Sequence, residues 1–186
     1  MSRIVVVGDA LLDRDLDGRA GRLCPDAPAP VLDDVTARER PGGAGLAAAL
    51  LARDGHAVTL VTALGADAAG AAVRRLLETD GVAVEDLGGG GATPEKVRVR
   101  AAGQVLVRLD REGVAPPVRR PNAGARRALA AADAVLVSDY GRGVAGSPEV
   151  RAAVAACGAP AVWDPHPRGG DPAPGMRLVT PNSAEA

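Results

Sequence analysis

The 186 residues predict an α/β fold: a mostly parallel sheet with helices on both faces. Three observations carry that prediction. Short apolar runs ended by turn residues recur along the chain, beginning with Ile4-Val5-Val6-Val7 before Gly8-Asp9, the pattern of strands buried on both faces. Ala/Leu-rich runs with helix caps alternate with them. The 47% hydrophobic content is almost all Ala, Val and Leu, with Ile4 the only isoleucine, Trp163 and Tyr140 the only aromatics and no phenylalanine. A core of such residues must be built from small, closely spaced elements, and a chain of this length buries one good core, so a single domain is expected.

Ile4 to Val7 reads as the first, central strand. Residues 14 to 40 alternate charges with Gly and Pro; Pro25, Pro28 and Pro30 rule out a helix and leave extended, edge-like segments such as Pro30 to Val35. A helix follows over 44 to 53, ended by Gly55, then a strand from Ala57 to Leu64. Asp67 caps a helix through Glu78, and Val82 to Leu87 forms a third strand. Beyond the linker Gly88 to Gly91, Glu95 to Arg100 and Gln104 to Asp110 alternate apolar and polar residues about the turn Ala102-Gly103, predicting a hairpin with one wet face. Regular alternation then resumes. A helix near 122 to 131, a strand from Ala134 to Val137, a helix near 148 to 156 with Ser147 as cap and Pro148 in its first turn, and strands at Ala159 to Trp163 and Arg177 to Val179 complete the chain. The two extended insertions, 14 to 40 and 92 to 112, can pair as a small sheet standing off the core, a lid or dimer surface.

A net charge of −1 and a pI near 6.1 provide no field to gather nucleic acid or an anionic membrane, so any anion must be bound locally. Cys24 and Cys157 have no metal-ligand spacing and are too few for a disulfide framework, which fits a reduced cytoplasm. The apolar run at the N-terminus is too short for a signal segment, and no run approaches a transmembrane length. There is no nucleophile–base–acid set of the hydrolase type, no zinc spacing, no P-loop, and no Gly-x-Gly-x-x-Gly after the first strand.

Ligands of open α/β sheets bind beyond the carboxyl ends of the strands, where this chain repeatedly places polar groups. Asp9 and Asp13 follow the first strand, Ser138-Asp139-Tyr140 the strand at 134, Asp164-Pro165-His166 the strand at 159, and Asn182 with Glu185 the strand at 177. Arg40-Pro41-Gly42-Gly43-Ala44-Gly45 enters the first helix and reads either as a tight turn or as a cradle whose amides donate to a ligand. In the second reading Asp13 accepts from two hydroxyls while the amides of Gly42, Gly43 and Ala44 donate, which suits a polyol. Asn182-Ser183-Ala184-Glu185 is either a capping box or a pair of hard oxygen donors for magnesium. His166 and Arg168 lie either on a surface loop or against phosphate oxygens.

These residues resemble the ribokinase-like, or PfkB-type, carbohydrate kinases, most closely the kinase domain of the bifunctional heptose-phosphate kinase/adenylyltransferases. The resemblance runs through VVVGDALLDRD at 5 to 15, GRLCPDAPAPVL at 21 to 32, ERPGGAG at 39 to 45, KVRV at 96 to 99, VLVRLDRE at 105 to 112, LVSDYGRG at 136 to 143 and TPNSAE at 180 to 185. It implies a three-layer α/β/α fold with a small β lid, as one carbohydrate kinase domain whose C-terminal part is missing. The implied reaction is transfer of phosphate from ATP, with Mg2+, to a sugar hydroxyl, here the anomeric hydroxyl of a heptose 7-phosphate. By motif match, Asp13 and Gly42 to Gly43 would hold the sugar and Asp139 would lie near the phosphate path. Asn182 and Glu185 would serve near magnesium. The lid would close over the substrate and clasp a second copy.

Two departures accompany the match. Leu46 stands where relatives place an asparagine just after the glycine pair, and the family's Gly-Ala-Gly-Asp motif, with its anion hole and catalytic base, is expected beyond Ala186. The resemblance therefore implies a kinase truncated before its base and ATP pocket, and inactive as an isolated chain. The alternative is a non-catalytic module that binds a sugar phosphate or dimerises.

Overall fold

The computed structural model describes residues 1–183. The elements, in chain order, are β1 (Arg3–Gly8), β2 (Ala10–Leu23), β3 (Pro30–Gly43), α1 (Ala44–Arg53), β4 (Ala57–Thr62), α2 (Ala68–Thr79), β5 (Ala83–Asp86), β6 (Glu95–Ala101), β7 (Gln104–Arg111), α3 (Ala123–Ala130), β8 (Ala134–Ser138), α4 (Pro148–Ala155), β9 (Ala161–Asp164) and β10 (Leu178–Val179). They form two sheets: six strands in the order β10-β9-β8-β1-β4-β5, and four in the order β3-β2-β6-β7.

All pairings of the six-stranded sheet are parallel, with β1 in its interior as expected. Alternation along β1 explains its unbroken apolar run. Val5 and Val7 pack with Leu129, Val150, Val154 and Trp163 under α3 and α4, while Val6 packs with Ala48, Val73 and Leu77 of α1 and α2 on the other face. Three of the helices begin on side-chain caps, with Asp67 accepting from Gly70 N (2.8 Å), Asn122 from Ala125 N (2.8 Å) and Ser147 from Val150 N (3.4 Å). Helix α1 has no such cap; Ala44 N donates instead to Asp9 O at 3.0 Å.

The two insertions do pair with each other. Strand β2 runs antiparallel to β3 and parallel to β6, and β6 runs antiparallel to β7. The excursion is longer and more regular than its Gly and Pro residues suggest. Strands β2 and β3 each run 14 residues, and β2 starts at Ala10, so only Asp9 separates the core sheet from the lid sheet. Gly18 and Gly21 lie within β2. Around them the ladder shifts register twice and is flanked by the ion pairs Arg19–Asp34 and Arg22–Asp33.

Candidate functional site

The site lies where the lid sheet joins the carboxyl edge of the core sheet. Pairing of β2 with β3 puts Asp13 opposite Arg40 and Leu11 opposite Gly42, so Asp13 and Gly42 are diagonal neighbours on one face. Asp13 is 8% exposed. Its Oδ1 accepts from Arg98 Nη1 at 2.5 Å, and its Oδ2 lies against Gly42, where any Cβ would stand only 2.5 Å from that oxygen. Glycine is thus required at 42 for the carboxylate to keep its place. Gly43 has φ of 61°, in the left-handed region, and a Cβ there would strike Asp9 O. The expected amide donor at Ala44 is corrected: it is consumed by Asp9 O, and Ala44 is fully buried.

Beside this corner a partly open cavity of about 40 Å³ is lined from the lid by Leu11, Glu95, Lys96 and Asp110, by Glu112 just after β7, and from the core by Tyr140, Arg142, His166 and Arg168. Leu11 connects corner and cavity, since it faces Gly42 and also lines the cavity wall. Tyr140 stands at the centre: its ring stacks on His166 (centroids 6.2 Å apart) and Lys96 Nζ lies 6.0 Å from its centroid. Arg142 and Arg168 reach Glu112 at the end of β7, with contacts of 3.6 and 3.8 Å to its carboxylate, and Arg142 Nη2 donates to Glu112 O at 2.7 Å. Arg142 Nε is buried without a hydrogen-bond partner. Glu95, Asp110 and Glu112 share the lining, so Lys96, Arg142 and Arg168 can bind an anion there where it displaces a carboxylate such as that of Glu112.

The remaining sequence candidates fall into different surroundings. Asp9, an edge acid by sequence, clamps the loop after β8, its carboxylate accepting from Tyr140 N (3.3 Å), Arg142 N (3.0 Å) and Val144 N (3.1 Å). Asp139 is 4% exposed and tucked against Gly169; Oδ1 accepts from Gly141 N at 2.7 Å while Oδ2 is unpartnered. Burial raises its pKa, with the Asp9 charge adding to the effect. His166 Nδ1 accepts from Arg168 N at 3.1 Å, which turns the opposite edge of the ring away from that loop turn. Asn182 is exposed beyond β10, and Glu185 lies outside the described residues. Among the described residues no three His, Cys, Asp or Glu side chains gather as a metal site.

Sequence reasoning placed Tyr140 at the carboxyl edge without a role and assigned no site role to Lys96, Arg98, Arg142 or Glu112. One signal was present: alternation over Glu95 to Arg100 puts Lys96, Arg98 and Arg100 on one face. What it could not supply was the parallel pairing with β2, which sets that face beside Asp13, Asp15 and Asp17.

A layered α/β core with a β lid over the strand ends is the architecture of ribokinase-like proteins, and solved structures of that class share it. A ribokinase from Arabidopsis thaliana, complexed with ribose and ATP, superposes with a TM-score of 0.64 at 20% identity, covering 99% of this chain and 61% of that one. The pfkB family carbohydrate kinase pattern matches residues 1–156, and this chain belongs to that family. Similar curated proteins include the bifunctional protein HldE of Streptomyces coelicolor, 55% identical over 183 residues, covering 98% of this chain and 38% of the relative. A D-beta-D-heptose 7-phosphate kinase of Bordetella bronchiseptica is 36% identical over 189 residues, covering 99% of this chain and 60% of that protein. The chain thus spans about two fifths of the bifunctional relative and three fifths of the kinase.

Proposed function

We propose that this chain is the sugar-phosphate-holding part of an ATP-dependent carbohydrate kinase of the heptose 7-phosphate type. The observation that carries the reading is the adjacency of two unlike subsites: the Asp13–Gly42 corner, which suits hydroxyls, and the cavity edged by Lys96, Arg142, His166 and Arg168, which suits a phosphate. In this reading Asp13 Oδ2 accepts from sugar hydroxyls and the three cations replace water around the phosphate. The phosphate takes the place of the Glu112 carboxylate on Arg142 and Arg168. Closure of the lid then excludes water.

The acids nearest the sugar corner are engaged or enclosed: Arg98 holds Asp13, three amides hold Asp9, and Asp139 is buried against Gly169. We therefore assign binding, rather than phosphoryl transfer, to these residues. Among the described residues no three His, Cys, Asp or Glu side chains gather around Asn182, and Glu185, its partner in the sequence motif, lies outside them. Val107 and Leu109, which stand opposite Val99 and Val97 and are 46% and 45% exposed, support pairing of two lids in a homodimer. The cytoplasm is the compartment proposed; no helix among the described residues is long and apolar enough to cross a membrane.

Calorimetry with a heptose 7-phosphate, together with an ATP-consumption assay, tests the reading. Expected is saturable binding without turnover. Turnover by the isolated chain would overturn the binding-only assignment, and absence of binding would overturn the proposal.

A further inference from the structure

A chain of acids and arginines crosses three strands of the lid. Asp15 on β2 has Arg98 of β6 as its directly paired neighbour, yet Arg98 lies 3.9 Å from Asp15 Oδ1 and instead reaches diagonally to Asp13 Oδ1 at 2.5 Å. Asp15 is served from the other side, by Arg40 of β3 through its Oδ2. Asp13 and Asp15 therefore each have their own arginine, drawn from strands on opposite sides. Asp13 and Asp15 are 8% and 7% exposed, and a carboxylate so buried needs a counter-charge.

The pairing is also directional. A carboxylate offers acceptor sites on both oxygens. With Oδ1 taken by Arg98, rotation about the Cβ–Cγ bond is stopped and Oδ2 stays turned toward Gly42. Arg98 contributes no atom to the cavity wall, whereas Lys96, two residues before it, does.

Resting on the sugar-binding reading of Asp13, we infer that Arg98 is a positioning residue: it fixes the Asp13 carboxylate so that Oδ2 meets the sugar hydroxyls. Both residues belong to adjacent strands of the lid sheet, so the pair travels with the lid as one piece. Arg98 acts on the hydroxyl-binding end of the site and not on the phosphate end.

The test is a double-substitution cycle in the full chain with Arg98→Met, Arg98→Lys, Asp13→Asn and the Arg98→Met/Asp13→Asn pair. Calorimetry is run with a heptose 7-phosphate, the unphosphorylated heptose and inorganic phosphate, and thermal unfolding is followed without ligand. Expected for Arg98→Met is a loss of about 10- to 100-fold in affinity for both sugars, with inorganic phosphate affinity unchanged. Arg98→Lys restores part of that loss, and the double variant binds no worse than Asp13→Asn alone.

Without ligand, Arg98→Met lowers the melting temperature, and adding Asp13→Asn recovers it by removing the uncompensated buried charge. Weakened inorganic phosphate binding in Arg98→Met, or additive losses in the pair, would assign Arg98 a direct or independent role and overturn the inference. Additive melting shifts would overturn it whether or not a sugar binds. Wild-type binding that Arg98→Met leaves intact defeats this inference alone, whereas failure of the wild type to bind either sugar defeats both it and the proposed function.

Discussion

In the core sheet Val5, Val6 and Val7 are at most 2% exposed and feed apolar clusters on both faces, whereas every residue of β7 in the lid sheet is exposed and the acids of β2 are met by arginines from β3 and β6. The contrast separates two kinds of cohesion. Apolar burial is non-directional and is lost only when the core opens, so the six-stranded sheet is the rigid platform. Exposed lid ion pairs such as Arg19–Asp34 contribute about 0–1 kcal/mol each, whereas the buried carboxylates of Asp13 and Asp15 depend on their arginines. Directional charge pairs thus hold the lid sheet where apolar packing holds the core sheet.

Substitutions that break this contrast should differ in size accordingly. Leu77→Ala, at a fully buried position between α2 and the sheet, is expected to cost about 2–5 kcal/mol in a urea unfolding series. Arg142→Gln removes the side chain that ties Glu112 to the core and lines the cavity. It should weaken binding of a heptose 7-phosphate by about 1.5–3 kcal/mol by calorimetry while leaving the unphosphorylated heptose unaffected. An equal loss for both sugars would remove Arg142 from the phosphate end.

Asp139→Asn probes the one core acid whose pKa is raised, by burial first and then by the Asp9 charge. A folded-state pKa above the unfolded value means that the folded protein holds a proton the unfolded chain has released. Stability is thus fully present below the unfolded pKa and falls as pH rises through the folded one. Asparagine removes that dependence, so its melting temperature should match the wild type in acid and exceed it near neutral pH. A difference constant across pH would show that ionisation of Asp139 does not limit stability. The smallest effect is expected in the lid, where Val107→Thr on exposed β7 should change unfolding by about 0.5 kcal/mol or less.

The alternation of elements was legible because each strand and helix is a local pattern. Asp67, Asn122 and Ser147 cap helices within a few residues of where composition placed the boundaries. Asp13, Gly42, His166 and Arg168 were also legible as candidates, since Gly and charged residues stand out at strand ends. The availability of individual groups was not. Ala44 N was a nominal free amide until Asp9 O took it, and Asp9 itself became a clamp for the 140–144 loop. Such outcomes depend on residues more than 30 positions away along the chain.

The amino-acid sequence by itself settled the layered α/β class, the position of β1 inside the sheet and the extended nature of the two insertions, because burial period and turn chemistry act over a few residues. Only the tertiary structure decided that Arg98 faces Asp13, that Tyr140 stands between Lys96 and His166, and that Glu112 rests on Arg142 and Arg168. Strand register sets those meetings, and register is the balance of pairing and packing over the whole sheet rather than a property of any one segment.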